Sequence, residues 1–282
     1  MNYRKKFLVA PGSHVRLHAC DPGYTDPPVD KKDASKQIET LHQRMDDLQF
    51  RLYAENKRSL LICLQAPDAG GKDGVVRHVL GALNPQGCRV VGFKEPTSEE
   101  LAHDFLWRIE RATPKRGEIA IFNRSQYEDV LIVRVHDLVP KSVWSQRYAQ
   151  INAFEQRLTA NNTHILKFFL HISKEEQLRR FEKRLDDPLR RWKISEADYS
   201  EREHWDDYML AYQDVLSKCS VEHAPWFIIP SDHKWFRNLA ISQIIAETMD
   251  SLGITVPHAT VDLTEIRRKY HHALSAERKD RE

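Results

Sequence analysis

The stretch Leu60-Leu61-Ile62-Cys63-Leu64-Gln65-Ala66-Pro67-Asp68-Ala69-Gly70-Gly71-Lys72-Asp73-Gly74-Val75-Val76-Arg77 decides the fold. An apolar run with the length and β-branched content of a buried strand passes into small residues, then Gly-Lys. Val75, Val76 and Val79 follow at helical spacing. A strand that turns through glycines into a helix aims backbone N–H groups and a helix N-terminus at one point, where an anion can sit. Gly70 and Gly71 let the backbone approach phosphate oxygens with no Cβ in the way. Lys72 adds a mobile positive charge. The match to the phosphate-loop pattern G-x-x-x-x-G-K-[ST] is imperfect. Ala66 stands at the first glycine, and Asp73 stands at the magnesium-binding hydroxyl. Asp68 places a second carboxylate in the loop. Two carboxylates repel phosphate unless a divalent cation lies between them, so the loop implies a metal.

Outward from this stretch, the apolar runs Leu60–Ala66, Cys88–Phe93, Glu118–Asn123, Ile165–Ile172 and Trp226–Pro230 read as five strands separated by helical patterns. Strand–helix alternation of this kind predicts a parallel sheet with helices on both faces. Ahead of it, residues 33–57 carry Ala34, Ile38, Leu41, Met45, Leu48 and Leu52 at spacings of three and four, one face of a helix. Thr97 with Glu100, Ser173 with Glu176 and Ser195 with Asp198 have capping-box spacing. Residues 1–32, rich in proline and without periodicity, read as an irregular arm. Residues 33–258 form the main domain. Residues 259–282 read as a polar helical tail with a frayed end.

The third strand ends in Asn123-Arg124-Ser125-Gln126-Tyr127-Glu128-Asp129. In an open α/β sheet ligands collect beyond the carboxyl ends of the strands, so this end and the Gly-Lys turn should share a crevice. Asn123 occupies a position where a metal-orienting Asp often ends the strand, and Arg124 is placed to neutralise a phosphate. After the fourth strand, Arg179 to Lys193 carries Arg180, Lys183 and Arg184 on one helical face. Asp187-Pro188 supplies a helix stop and restart. A cationic helical hairpin there, about residues 174–198, reads as a lid that excludes water and completes a charge clamp.

Composition sets the limits. The chain has 282 residues with a net charge of +2. Bulk charge of that size does not mark a nucleic-acid binder, so any polyanion must be met by a local cluster. No run reaches the roughly 20 apolar residues of a membrane span, and the apolar stretch near the N-terminus is too short for a signal peptide. Cys20, Cys63, Cys88 and Cys219 form no CxxC pair, and a reduced cytoplasmic chain is expected. His18 and Cys20 lack a partner pair and are not expected to bind metal.

The chain resembles the polyphosphate kinase 2 family, most closely its class III subgroup. Three stretches carry the resemblance: Asp68-Ala69-Gly70-Gly71-Lys72-Asp73-Gly74, Phe122 to Val130, and Arg184-Leu185-Asp186-Asp187-Pro188 through Trp192-Lys193-Ile194-Ser195 to Asp198. Ala224-Pro225-Trp226 and Lys234-Trp235-Phe236-Arg237-Asn238 extend it, over roughly residues 35–255. The chain departs from the family at Ala66-Pro67, where Gly-Met is commoner. Asn123 matches the subgroup, whereas other members carry Asp. The resemblance implies a P-loop kinase of thymidylate-kinase-like fold, a three-layer α/β sandwich with a central parallel five-stranded sheet and a helical lid. It implies transfer of phosphoryl groups from inorganic polyphosphate to AMP and ADP, with GMP and GDP as further acceptors. It also implies Mg²⁺ dependence, with Mn²⁺ able to substitute, and a homodimer or homotetramer.

An acceptor phosphate is already an anion, so the chemistry is mainly positioning and charge neutralisation. The expected catalytic set is Asp68, Lys72, Asn123, Arg124 and Arg184. Ala69, Gly70, Gly71, Lys72, Asp73, Gly74 and Arg77 are expected around the phosphates, and Asp68 and Asp73 at the metal. Arg180, Lys183, Arg184, Arg191 and Lys193 are expected to line a track for polyphosphate, and Arg124, Tyr127 and Glu128 to meet the nucleotide. Neither nucleic acid nor a membrane is an expected partner. Two other readings stay open: an ATP-dependent nucleotide kinase of the same fold, and a non-catalytic nucleotide- or polyanion-binding protein.

Overall fold

Ser59–Gln65 (β1) is buried along its whole length, and its side chains alternate between two cores. Leu60, Ile62 and Leu64 face one, Leu61 and Cys63 the other. Burial on both faces is why the sequence shows a continuous apolar run rather than an alternating one. The computed structural model, which describes residues 1–27 and 29–279, places β1 between two parallel neighbours. The other strands are β2 (Cys88–Gly92), β3 (Ile119–Asn123), β4 (Thr163–His171) and β5 (Trp226–Pro230). The sheet order is β2-β3-β1-β4-β5, all parallel. The chain thus moves from β1 to one side, returns, and crosses to the other. The carboxyl end of β1 is therefore the topological switch point, where a crevice opens.

The longer helices are α1 (Lys31–Glu55), α2 (Lys72–His78), α3 (Lys141–Ala160), α4 (Lys174–Asp186), α5 (Glu196–Glu203), α6 (Trp205–Cys219), α7 (Lys234–Ser251) and α8 (Leu263–Lys279). The first core joins one sheet face to Met45, Leu48 and Leu52 of α1, Val75 of α2 and the buried side of α7. On the opposite face Tyr148 and Ile151 of α3 and Tyr212, Val215 and Leu216 of α6 pack together. Helices cover both faces of a single parallel sheet, the three-layer α/β architecture read from the sequence.

The capping signals differ in outcome. Thr97 with Glu100 and Ser195 with Asp198 form full capping boxes. Ser173 accepts from the N–H of Glu176, but the Glu176 carboxylate turns to Arg179 and Arg180. The N–H of Ser173 donates instead to Asp232. β4 begins at Thr163, two residues before the sequence reading, because Thr163 pairs with Ser59 across the sheet through their hydroxyls, 3.0 Å apart. The arm, read from the sequence as irregular, carries a one-turn helix at Tyr3–Lys6 and a single tight turn at Leu17–Ala19, and it is built into the fold. Val9 donates to the carbonyl of Trp226 at 2.9 Å, and Ile228 donates to that of Phe7 at 3.0 Å. The arm thereby runs antiparallel to β5, and Tyr3 is buried against Phe236. The expected frayed end, residues 280–282, lies outside the described residues. No described helix is long and apolar enough to cross a membrane.

Candidate active site

The turn from β1 to α2 has the backbone its glycines predict. Gly71 has φ of +105°, a conformation that favours glycine. A Cβ on Gly70 would lie 2.4 Å from the Ala66 methyl, so a side chain at 70 cannot coexist with Ala66 unmoved. Lys72 opens α2, and its ammonium folds back to donate to the carbonyl of Ala66 at 2.8 Å. Burial and the neighbouring Arg124 push its pKa down to about 8, against the opposing pull of Asp68, Glu128 and Asp73.

Arg124 follows β3 with φ of +65°, which swings its side chain toward the loop. Its guanidinium bridges Asp68 at 2.9 Å and Glu128 at 3.3 Å. Glu128 also accepts from Gln65 at 3.0 Å. The two carboxylates, Glu128 foremost, hold Arg124 firmly charged. Asp73 accepts from Asn123 at 2.9 Å and from Lys193 at 3.0 Å. Burial works to raise the Asp73 pKa, but these two donors outweigh it and keep the carboxyl below its ordinary range.

The segment α4–α5 closes one side. The crevice has a volume of about 1660 Å³, and its walls carry twelve Lys or Arg against five Asp or Glu. Lys183, Arg184 and Lys193 line it, and Arg184 donates to the carbonyl of Lys193 at 3.1 Å. Ala69, Gly70, Gly71, Gly74, Arg77, Asn123, Arg124, Asp68 and Asp73 all border the same space. The loop, the strand end and the cationic segment therefore meet in one cavity.

Four residues behave otherwise than the sequence suggested. Tyr127 is fully buried and does not reach the crevice. Its hydroxyl donates to Glu155 at 2.8 Å and accepts from Lys167 at 2.8 Å, inside the core beneath the sheet. Stacking on a base is therefore excluded. Glu128 holds Arg124 rather than lining the cavity. Arg191 donates to the carbonyl of Leu185 at 2.8 Å and is not part of the wall, so it shapes the turn between α4 and α5. Arg180 borders the cavity but uses its guanidinium on Glu176 and on the carbonyls of Ala69, Gly70 and Ser231, so it braces the loop instead of serving as a free track cation. The sequence reading gave no role to Lys31, Lys94, Arg190, Lys234 or Arg237, all in the wall. The signal for Lys234 and Arg237 was available, since they open the helix that follows β5 at its ligand-facing end.

Among the described residues no three His, Cys, Asp or Glu side chains gather into a metal cluster. Mg²⁺ demands less, one or two carboxylates with water and phosphate oxygens completing its shell. Asp68 keeps Oδ2 free of hydrogen bonds to described residues, and Asp73 is largely exposed on the cavity side, so the pair suits such an ion.

The family model for Polyphosphate kinase 2 (PPK2) matches residues 28–255, a span holding the loop, the strand end, the cationic segment and α7. The chain belongs to the polyphosphate kinase 2 family. Within the family it is 49% identical over 269 residues to an ADP-polyphosphate phosphotransferase of Rhodopseudomonas palustris, covering 91% of this chain and 93% of that one. It is 46% identical over 254 residues to an AMP/ADP-polyphosphate phosphotransferase of Meiothermus ruber, covering 90% and 95%. The crystal structure of polyphosphate kinase 2 from Arthrobacter aurescens TC1 superposes with a TM-score of 0.91 at 41% identity, covering 96% of this chain and 97% of that chain. The same sheet and helix layers therefore extend through the family member over nearly its whole length.

Proposed function

We propose that this chain is a polyphosphate-dependent nucleotide kinase, moving phosphoryl groups reversibly between inorganic polyphosphate and AMP or ADP. One observation carries the reading: twelve cations against five acids wall a single cavity built on a phosphate loop. A lone nucleotide does not need so many, whereas a chain of phosphates does. The names of the Rhodopseudomonas palustris and Meiothermus ruber relatives support AMP and ADP as acceptors. GMP and GDP belong to the same proposal as further acceptors.

In this reading Lys72 and the loop N–H groups hold the phosphates flanking the transferred group. Arg124 leaves its ground-state partners, Asp68 and Glu128, part-way to meet charge on the acceptor phosphate. Lys183, Arg184 and Lys193 draw the polyphosphate chain in and exclude water as the lid segment covers it. No general base is required, because the attacking oxygen is already ionised. Asp68 and Asp73 would hold Mg²⁺, which when bound neutralises charge on the phosphate oxygens, and Mn²⁺ would serve similarly. The enzyme is proposed to act in the cytoplasm, in keeping with four free cysteines. A homodimer or homotetramer is proposed from the family resemblance, to be checked by light scattering.

The test is to incubate AMP, ADP, GMP and GDP separately with polyphosphate and Mg²⁺, without ATP, and resolve the products. ADP and ATP from the adenine nucleotides are expected. Transfer only when ATP is supplied would establish the ATP-dependent reading instead, although Asp73 at the usual hydroxyl position speaks against it.

A further inference from the structure

Helix α5, on the return side of the cationic segment, ends in two adjacent side chains that leave it in different directions. Glu201 accepts from the Tyr208 hydroxyl of α6 at 2.7 Å, and the same carboxylate oxygen lies 3.0 Å from Nε2 of His136, which follows the short helix Ile132–Val135 beyond β3. Arg202 donates to the carbonyl of Lys174 at 2.7 Å and to Oε1 of Gln177 at 2.9 Å, both at the start of α4. The end of α5 is thus fastened on two sides, to the segment after the third strand and to the helix beside the phosphate loop.

Gln177 carries the contact onward. It is 3% exposed, and its Nε2 donates to the backbone carbonyl of Asp68 at 3.0 Å. A guanidinium can only donate and a peptide carbonyl can only accept, so an amide caught between them has one orientation that satisfies both. Arg202 therefore fixes which end of the Gln177 amide faces the loop. Three residues along the same face of α4, Arg180 takes the next two carbonyls, of Ala69 and Gly70. Three consecutive loop carbonyls are drawn to one helix, and the trans peptides turn the N–H groups of Ala69 and Gly71 away from it. Asp68 is gripped at both ends, its carboxylate by Arg124 at 2.9 Å and its carbonyl by Gln177. Ala69 beside it has φ of +57°, a conformation that a residue with a Cβ keeps only where its surroundings impose it.

We propose that Gln177 is a positioning residue for Asp68, and that Arg202 passes the placement of α5 to the phosphate loop through it. With α5 seated, the Gln177 amide is locked with its donor toward Asp68, and the loop keeps the arrangement that Ala69 requires. When α5 moves off α4, the amide loses the group that orients it, and the Asp68 carbonyl loses its fixed donor. The catalytic consequence rests on the function proposed above, whereas the mechanical link stands on the geometry alone.

Hydrogen–deuterium exchange of the full chain without substrate, read on the peptide covering residues 66–74 and compared with β1, tests the link. Arg202→Met should speed exchange in that loop several-fold with β1 unchanged, although its own hydrogen bonds end on Lys174 and Gln177. Gln177→Glu keeps an acceptor for Arg202, removes the donor to Asp68, and should loosen the loop to a similar degree. The double variant should go little beyond either single one, since both cut the same chain of contacts. In transfer from polyphosphate to AMP, each substitution should lower kcat about tenfold with the Michaelis constant for AMP unchanged, and Arg202→Lys should restore most of the rate. Loop exchange equal to wild type in Arg202→Met overturns the proposal, as do single effects that multiply in the double variant. Exchange that quickens equally in β1 marks Arg202 as a general packing contact and overturns it too. If Gln177→Glu does not fold, Arg202→Met, at a half-buried position, decides alone. Should wild type transfer nothing from polyphosphate while loop exchange still answers to Arg202, the function reading falls and the link stands.

Discussion

Lys193, beyond the turn that follows α4, donates to Asp73, in the first turn of α2, across 3.0 Å. The cationic segment is thus tied to the phosphate loop by the same carboxylate that Asn123 orients. Lys193 supplies Asp73 with the positive charge that a metal ion would otherwise supply.

Lys193→Ala removes this tie. The pair is solvent-accessible, with 35% and 67% of the two side chains exposed. Stability should therefore change by no more than about 1 kcal/mol. The Michaelis constant for polyphosphate should rise several-fold, and limited proteolysis between residues 187 and 194 should quicken. A proteolysis rate equal to that of wild type would show that the pair does not restrain the segment.

In the proposed mechanism Lys72 and Arg124 act on the reacting phosphates, while Glu128 acts through Arg124. Lys72→Met should lower kcat by about 10²- to 10³-fold. Arg124→Ala should lower it by about 10³-fold or more. Glu128→Gln should lower kcat by about tenfold and leave the Michaelis constant for polyphosphate unchanged, since the lost charge only frees Arg124 from its position. A Lys72→Met enzyme retaining half the wild-type rate would refute the loop assignment.

The Tyr127–Glu155–Lys167 network is a matter of stability. Lys167 and Glu155 have no exposed side-chain surface. Lys167→Met leaves Glu155 buried without its counter-charge and should cost about 3–5 kcal/mol, read from denaturant unfolding. Tyr127→Phe removes two buried hydrogen bonds, to Glu155 and from Lys167, and should cost about 1–3 kcal/mol with little change in kcat. A large fall in kcat for Tyr127→Phe at unchanged stability would return Tyr127 to the site.

Asp129 predicts a pH effect away from the phosphates. Burial raises its pKa to about 6 against the pull of Arg147 and Arg108. The folded protein then holds a proton that the unfolded chain releases near its ordinary pKa of 3.8. The stability from this group is fully present below pH 3.8 and is lost as pH rises through about 6. Asp129→Asn should flatten that part of the stability profile between pH 4 and 6.5. Parallel profiles for the two proteins would contradict the shift.

Much of this fold was legible because its signals are local. Each strand of the sheet is a short apolar run, and α1 shows its buried face in Met45, Leu48 and Leu52. The Gly-Lys turn, Arg124 and the lid cations announce themselves by residue type and position after a strand. What was not legible depends on partners distant in the chain. Nothing near Arg180 in sequence shows that its guanidinium ends on Ala69 and Gly70, more than a hundred residues earlier. Tyr127 reads as a strand-end aromatic until Lys167 of β4 and Glu155 of α3 turn it inward. The position of Arg237 at the start of a helix after β5 is legible, but its burial is not, because the loop that covers it comes from far earlier in the chain.

Trp192 is 76% exposed and lines the cavity, whereas Trp144, Trp205 and Trp226 are buried. Its indole stands beside Lys193, with the ammonium 5.0 Å from the ring centre. The proposed lid therefore carries an intrinsic optical reporter. Covering Trp192 with a phosphate chain and the loop beneath should shift its emission toward the blue and slow quenching by iodide. Stopped-flow fluorescence could then time lid closure without any added dye, and Trp192→Phe supplies the blank.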